Sequence, residues 1–176
     1  MQPSVDIEDH SGLVAYLRET GHIQPGELVR CTNLSGGISN RAVLVQRSSG
    51  ETWVLKQALP KLRVTVDWFS DPARIEREAL GLTWLGKLAP PGSIPHLVFE
   101  DRAHHLLAMQ AVPQPHENWK TRLLAGRVEA AYVTQFAELL VPVELSQSGV
   151  GYSYARRNHK NEPYLPIAAI RNSPPL

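Results

Sequence analysis

The sequence predicts an α+β fold built on a five-stranded antiparallel sheet, with one main packed helix. Three apolar, strand-like runs follow one another closely between residues 28 and 58, which is typical of an antiparallel meander. A long helical pattern and two further strand patterns follow them. With 176 residues, of which 43% are hydrophobic and 20% charged, the chain is long enough for one domain and too apolar to be wholly disordered.

Capping residues, turns and prolines set the boundaries of these elements. Asp9 or Ser11 suits the N-cap of a first helix, and Gly21 suits its end. Asp71 and Pro72 suit the N-cap and first turn of the long helix. The predicted elements, in chain order, are a helix over 9–20, strands over 28–34, 42–46 and 52–58, a helix over 72–88, strands over 97–100 and 105–111, a helical stretch from about 117, and a helix over 128–140.

The composition excludes several classes of protein. A net charge of +1 offers no basic field for nucleic acid. The apolar runs fall short of the roughly 18 residues that a membrane helix needs, so we expect no membrane partner. The single cysteine, Cys31, has no partner for an internal disulfide. Because the N-terminus is polar and acidic, without the apolar core of a signal peptide, we expect a cytoplasmic protein.

A glycine-rich loop separates the first two strands. Glycines allow backbone N–H groups to approach phosphate oxygens closely, because they lack a Cβ atom. Gly36 and Gly37 supply such backbone here, and Ser39 adds a hydroxyl donor. Taken alone, the loop favours a simple hairpin turn over a phosphate-binding role.

The third strand carries a lysine on an apolar face. Alternation along the strand places Val54, Lys56 and Ala58 on the same side of the sheet. A lysine between apolar neighbours suits a site where an apolar wall meets an adenine ring and the ammonium meets phosphate oxygens. The alternative is an edge-strand lysine that prevents aggregation.

The long helix carries a glutamate on its apolar face. Glu78 falls among Ile75, Ala79 and Leu82 on the helical wheel, whereas Glu76 points away from them. A carboxylate on a buried face needs a partner, because an unpaired buried charge is costly. We therefore predict an ion pair between Glu78 and Lys56. The alternative places Glu78 at the margin of the stripe, in water.

The last predicted strand leads into a connector stiffened by proline. Met109 ends an apolar run, and Gln110 to Val112 precede Pro113. An apolar strand that runs into such a connector is typical of a hinge whose backbone groups bind adenine, with Met109 behind the ring. A core strand followed by an ordinary loop would give the same pattern.

These parts together resemble the aminoglycoside-phosphotransferase-like kinase family, over residues 34–140. Strand, glycine loop, strand, strand with an internal lysine, helix with an inward glutamate, and hairpin follow in the order of a kinase small lobe. The run over 55–60 is especially similar to the methylthioribose kinases of this family. The segments that carry the resemblance are Leu34-Ser35-Gly36-Gly37-Ile38-Ser39-Asn40, Trp53-Val54-Leu55-Lys56-Gln57-Ala58-Leu59-Pro60, Ile75-Glu76-Arg77-Glu78-Ala79-Leu80 and Leu106-Leu107-Ala108-Met109.

The resemblance implies that the chain binds ATP. Lys56 would hold the α- and β-phosphates and Glu78 would pair with it, while Ser39 and the loop amides would cover the β-phosphate. Gln110 and Val112 would offer hinge backbone groups to adenine. Members of the family use ATP and Mg²⁺ to phosphorylate a hydroxyl group of a small molecule. The sequence does not specify that acceptor.

This chain departs from the family pattern after the hinge. A complete member carries a His-Gly-Asp catalytic loop with a later asparagine, and then a metal-binding aspartate. Asp101 is the last aspartate in this chain. We therefore assign no catalytic residue and no metal ligand, and expect Mg²⁺ to bind only in a complete homologue.

The resemblance also predicts how the chain is organised. Pro142 is expected to break the last helix, and the sequence beyond it loses its periodic pattern. The predicted segments are an N-terminal helical segment over 1–27, a kinase-like nucleotide-binding small lobe over 28–113, the helical start of a large lobe over 114–141, and a disordered tail unrelated to the family over 142–176.

The function expected from these residues is that of the small lobe of an ATP-dependent phosphotransferase, inactive alone. The alternative is a non-catalytic module that binds a nucleotide or a protein, or one half of a split kinase whose large lobe is separately encoded.

Overall fold

A computed structural model describes residues 5–147 and places them in two compact units. Residues 5–80 and 97–111 belong to the first unit, and residues 81–96 and 112–147 to the second. The tail expected to be disordered lies outside the described residues from 148 onward. No helix in the described range is long and apolar enough to cross a membrane.

The fold is α+β, as predicted, with an open five-stranded antiparallel sheet and four helices in the described range. Strand and helix positions agree closely with the periodic patterns of the sequence. The elements are α1 (His10–Glu19), β1 (Val29–Asn33), β2 (Asn40–Arg47), β3 (Thr52–Ala58), α2 (Arg74–Leu88), β4 (Leu97–Asp101), β5 (Leu106–Gln110), α3 (Trp119–Leu124) and α4 (Ala130–Gln147).

The sheet has the strand order β1-β2-β3-β5-β4. Strands β1, β2 and β3 form the predicted meander, and β4 and β5 form the predicted hairpin. The hairpin joins the meander through β5, where Leu55 lies opposite Ala108 and Lys56 opposite Leu107. The α2 segment is the connection between the two groups of strands.

Helix α1 begins at a side-chain cap and packs on one face of the sheet. The Asp9 carboxylate accepts from the Ser11 amide at 3.2 Å, which satisfies one free amide of the first turn. Leu13, Tyr16 and Leu17 are buried on its inner face. These side chains form one core cluster with alternate residues of the strands, namely Val43, Val45, Trp53, Leu55, Leu106 and Ala108.

The expectation of one main packed helix, α2, is therefore incomplete. Helix α1 places three buried side chains in the core, whereas α2 buries only Ile75 and Ala79 among its described residues. The outer stripe of α2 is open, since Leu80 is 57% exposed. The contribution of α1 to the core was not predicted, because the sequence pattern shows an apolar stripe but not what the stripe packs against.

Helix α4 continues through the proline at which we expected it to end. It extends to Gln147, past Pro142. A proline removes a single amide donor from the helical ladder, so a long helix can continue on both sides of it. The helical start expected over 114–141 corresponds to α3 and most of α4.

Candidate functional site

The predicted ion pair between β3 and α2 is present. The Lys56 ammonium contacts Oε1 of Glu78. The Lys56 side chain is 26% exposed and that of Glu78 35%, so the pair lies at the margin of the buried region. Glu76 instead faces the β4–β5 turn, with its carboxylate 3.9 Å from Nε of Arg102. The helix phase deduced from the sequence is therefore correct.

Lys56 lies within a half-buried apolar strip on its face of the sheet. Cross-strand register places Leu44 and Met109 on either side of Val54, and Ala42 on the same face beside Lys56. All four apolar side chains are partly accessible to solvent. Three adjacent strands span about 10 Å, which is wide enough for a flat heteroaromatic ring. An apolar floor with a single ammonium at one end suits a ligand with a ring and an anionic group.

The two glycines of the β1–β2 loop are required for different reasons. Gly36 has φ +93°, a left-handed conformation that other residues adopt only with strain. A Cβ atom on Gly37 would lie 2.8 Å from the Asn40 carbonyl oxygen, closer than side chains come. Among the hydrogen bonds within the described residues, none is donated by the amide of either glycine. These N–H groups are therefore available to an anion.

The exit of this loop is attached through its backbone carbonyls. The Ile38 carbonyl accepts from the Arg63 amide at 2.8 Å, and the Ser39 carbonyl accepts from the Leu59 amide at 3.0 Å. Both donors lie at or beyond the end of β3, the strand that carries Lys56. The loop is thus joined to the strand of the lysine by main-chain hydrogen bonds, and the Ser39 side chain is left partly accessible.

The predicted hinge lies where sheet pairing ends. The Ala111 amide donates to the Thr52 carbonyl at 2.8 Å, one residue beyond β5. Gln110 lies opposite Trp53, so its side chain is on the face of the sheet turned away from Lys56. Only its backbone is suited to the role expected of it. Val112 is the first residue of the second unit, and the candidate site in the first unit contains the other eight predicted residues.

Sequence reasoning missed Arg74, which lies one helical turn before Glu78. Its Nη2 donates to the carbonyls of Ser39 and Leu59, the latter at 3.0 Å. Its partners are main-chain oxygens, which leave no mark in the sequence. Its place in the first turn of a helix, where acidic residues are usually preferred, is a sequence signal that could have drawn attention to it.

The last aspartate of the chain has a structural role. Asp101 accepts at 2.7 Å from Oη of Tyr16 and lies 2.7 Å from Nδ1 of His104. Burial acts to raise the pKa of Asp101, but these hydrogen bonds outweigh it and hold the pKa below its usual range. Burial and the adjacent carboxylate raise the pKa of Tyr16 well above normal. Asp101 thus fixes α1 to the β4–β5 turn, away from the lysine's face.

The described residues contain no cluster of three or more His, Cys, Asp or Glu side chains that could hold a metal ion. No protein-family model matches the chain, and no curated protein matches it. The geometry of the first unit therefore carries the functional argument.

Proposed function

We propose that this chain is the nucleotide-binding small lobe of a phosphotransferase, with the small-lobe fold of the aminoglycoside-phosphotransferase-like kinases. The Lys56–Glu78 ion pair beside a half-buried apolar strip is the observation that carries the proposal. In phosphoryl-transfer enzymes of the protein-kinase type, a strand lysine held by a helix glutamate binds the phosphates of ATP. The same two residue types occupy the third strand and the following helix here.

Each part of the site has a chemical role in this proposal. Lys56 binds the α- and β-phosphates, and Glu78 orients its ammonium. The free amides of Gly36 and Gly37 bind a phosphate oxygen, because neighbouring backbone N–H groups can donate hydrogen bonds to the same anion. The apolar strip around Val54 and Met109 covers one face of adenine.

Hinge contacts and the acceptor complete the proposal. The backbone of Gln110 bonds to the edge of adenine, and Ser39 adds a hydroxyl to the β-phosphate. A complete enzyme of this design would transfer the γ-phosphate of ATP to a hydroxyl group of a small molecule, with Mg²⁺ held by that enzyme's own aspartates.

Catalysis by this chain alone does not follow from the site. Residues 102–176 contain no aspartate, and Asp101 is bonded to Tyr16 and His104. A phosphoryl transfer needs a base for the attacking hydroxyl and neutralisation of charge on the transferred group. The same observation favours a second candidate function, a non-catalytic nucleotide-binding module or one half of a split kinase.

The test is a titration of the full chain with ATP, in which binding is monitored through the NMR chemical shifts of backbone amides. We expect saturable shifts at Ser39, Val54 and Met109, with a Kd on the order of a millimolar, about −4 kcal/mol, and little dependence on Mg²⁺. Lys56→Ala should abolish them, whereas Lys87→Ala, which changes an exposed lysine, should not.

Two results would contradict this proposal. Linear shifts, without saturation, up to about 10 mM ATP would exclude a nucleotide site. ATP turnover above a protein-free blank that Lys56→Ala abolishes would show that the chain is itself a catalyst, and would overturn its assignment as an inactive lobe.

A further inference from the structure

Helix α2 carries, one turn apart, two side chains that hold different parts of the candidate site. Glu78 contacts the ammonium of Lys56, and Arg74 donates to the Ser39 carbonyl at the exit of the glycine loop. Residues four apart in a helix lie on the same face, about 6 Å from each other. One face of α2 therefore reaches both the lysine and the loop.

The guanidinium of Arg74 joins three segments of backbone. Nη2 donates to the carbonyls of Ser39 and Leu59, and Nη1 donates to the carbonyls of Ser70 at 3.3 Å and Asp71 at 3.0 Å. These oxygens belong to the loop exit, the end of β3 and the start of α2. A planar guanidinium can bridge oxygens that diverge in this way, whereas an ammonium is a compact charge that reaches fewer of them.

Arg74 attaches the exit of the glycine loop to α2 through its side chain. The Leu59 amide also donates to the Ser39 carbonyl, and the Arg63 amide donates to the Ile38 carbonyl. These two amides therefore report whether the loop exit is in place. Without the guanidinium, the Ser39 and Leu59 carbonyls would lose the donor that links them to α2.

We propose that Arg74 is a positioning residue that fixes the glycine loop to α2, so that Glu78 and Arg74 set the lysine and the loop as one unit. The effect of Arg74 on nucleotide affinity rests on the function proposed above. On this proposal, a displacement of α2 would loosen the lysine and the loop exit together, because one face of the helix contacts both.

Hydrogen exchange of the ligand-free chain tests the attachment without relying on nucleotide binding. In Arg74→Gln, the amides of Leu59 and Arg63 should exchange about tenfold faster than in the wild type, because the loop exit opens locally. Amides within β3 and β5 should keep their rates. Arg77→Gln is the matched control, since Arg77 is exposed on the same helix.

An ATP titration of the same variants tests the consequence. Arg74→Gln should weaken binding about tenfold, Arg74→Lys should recover part of the loss, and Arg77→Gln should bind like the wild type. Lysine keeps a positively charged donor on a side chain of similar length, whereas glutamine is shorter and neutral, so partial rescue by lysine would assign the loss to the charged donor. Should Arg74→Gln fail to fold, Arg74→Lys serves for both measurements.

The possible outcomes separate this proposal from the function proposed above. Wild-type exchange at Leu59 and Arg63 in Arg74→Gln would overturn the attachment, and so would a uniform increase throughout β3 and β5. Faster exchange at these two amides with no ATP binding by the wild type would support the attachment and overturn the nucleotide site. Unchanged ATP affinity in an Arg74→Gln variant with a released loop would overturn the positioning role.

Discussion

The Lys56–Glu78 ion pair is partly open to water, which limits its contribution to stability. Since the Glu78 side chain is 35% exposed, we expect Glu78→Gln to lower the free energy of unfolding by about 0.5–1 kcal/mol. Glu76→Gln should change it by less, because its contact with Arg102 spans 3.9 Å and the arginine side chain is 71% exposed. Urea unfolding of both variants measures the difference. Equal losses would mean that Glu78 is no more than a surface residue.

Gly36 offers a test in which backbone strain and ligand binding separate. Gly36 has φ +93° and Gly50, in the β2–β3 turn, has φ +92°, so alanine at either position costs about 1 kcal/mol of strain. Only Gly36→Ala should also weaken ATP binding, since it alters the loop that we propose as the phosphate-binding loop. Thermal unfolding and ATP titration of the two variants provide the comparison. Equal ATP affinities would remove the loop from the site.

At the scale of whole elements, α1 should matter more to stability than the outer face of α2. Leu17 is fully buried on α1, whereas Leu80 is 57% exposed on α2. We expect Leu17→Ala to cost about 2–5 kcal/mol and Leu80→Ala about 0.5 kcal/mol or less. Chemical unfolding of the two variants measures both costs. A small loss at Leu17 would show that α1 is a peripheral addition to the sheet.

Periodic signals explain which parts of the structure were predictable. Alternation along β3 fixed the face of Lys56, and the helical wheel of α2 fixed Glu78 rather than Glu76 as its neighbour. Both arguments need only the phase of a repeating pattern, which the residues themselves display. Element positions were predictable for the same reason, with β3 matching over Thr52–Ala58.

Other parts depend on contacts between segments far apart in the chain. The insertion of β5 between β3 and β4 follows from the packing of the hairpin on the meander, which no local pattern encodes. Arg74 was missed because its four acceptors are main-chain carbonyls. The burial of Gln57 was missed for the same reason. Its side-chain amide donates to the Val5 carbonyl at 2.7 Å and accepts from the Ile7 amide at 3.4 Å, and both partners lie about fifty residues earlier in the chain.

At the scale of the whole molecule, acid should destabilise the first unit through Glu27. Hydrogen bonds from Arg47 and the Gln24 amide lower the pKa of Glu27 from 4.5 to about 2. A carboxyl whose pKa is lower in the folded state stabilises the fold above its unfolded pKa, and this stabilisation is lost as pH falls toward the folded pKa. The affected window is therefore pH 4.5 down to about 2.

Urea unfolding at about pH 6 and about pH 3 checks this prediction. Glu27→Gln should be less stable than the wild type at the higher pH, and should lose less stability on acidification. The Arg47 guanidinium also lies 4.4 Å from the ring centroid of Trp53, a contact that the variant leaves in place. Identical acid losses in the two proteins would contradict the assigned role of Glu27.

The position of β5 between β3 and β4 sets the order in which this protein can fold as it is synthesised. Helix α1 and strands β1 to β3 leave the ribosome first, but Leu106 and Ala108 of their shared core come about fifty residues after β3. Until then, the sheet face that packs against α1 is incomplete, and the apolar side chains of α1 and of this face are exposed to other nascent chains. Slow translation between residues 58 and 106 would therefore prolong a state prone to aggregation, and a chaperone that covers this face would act within that interval.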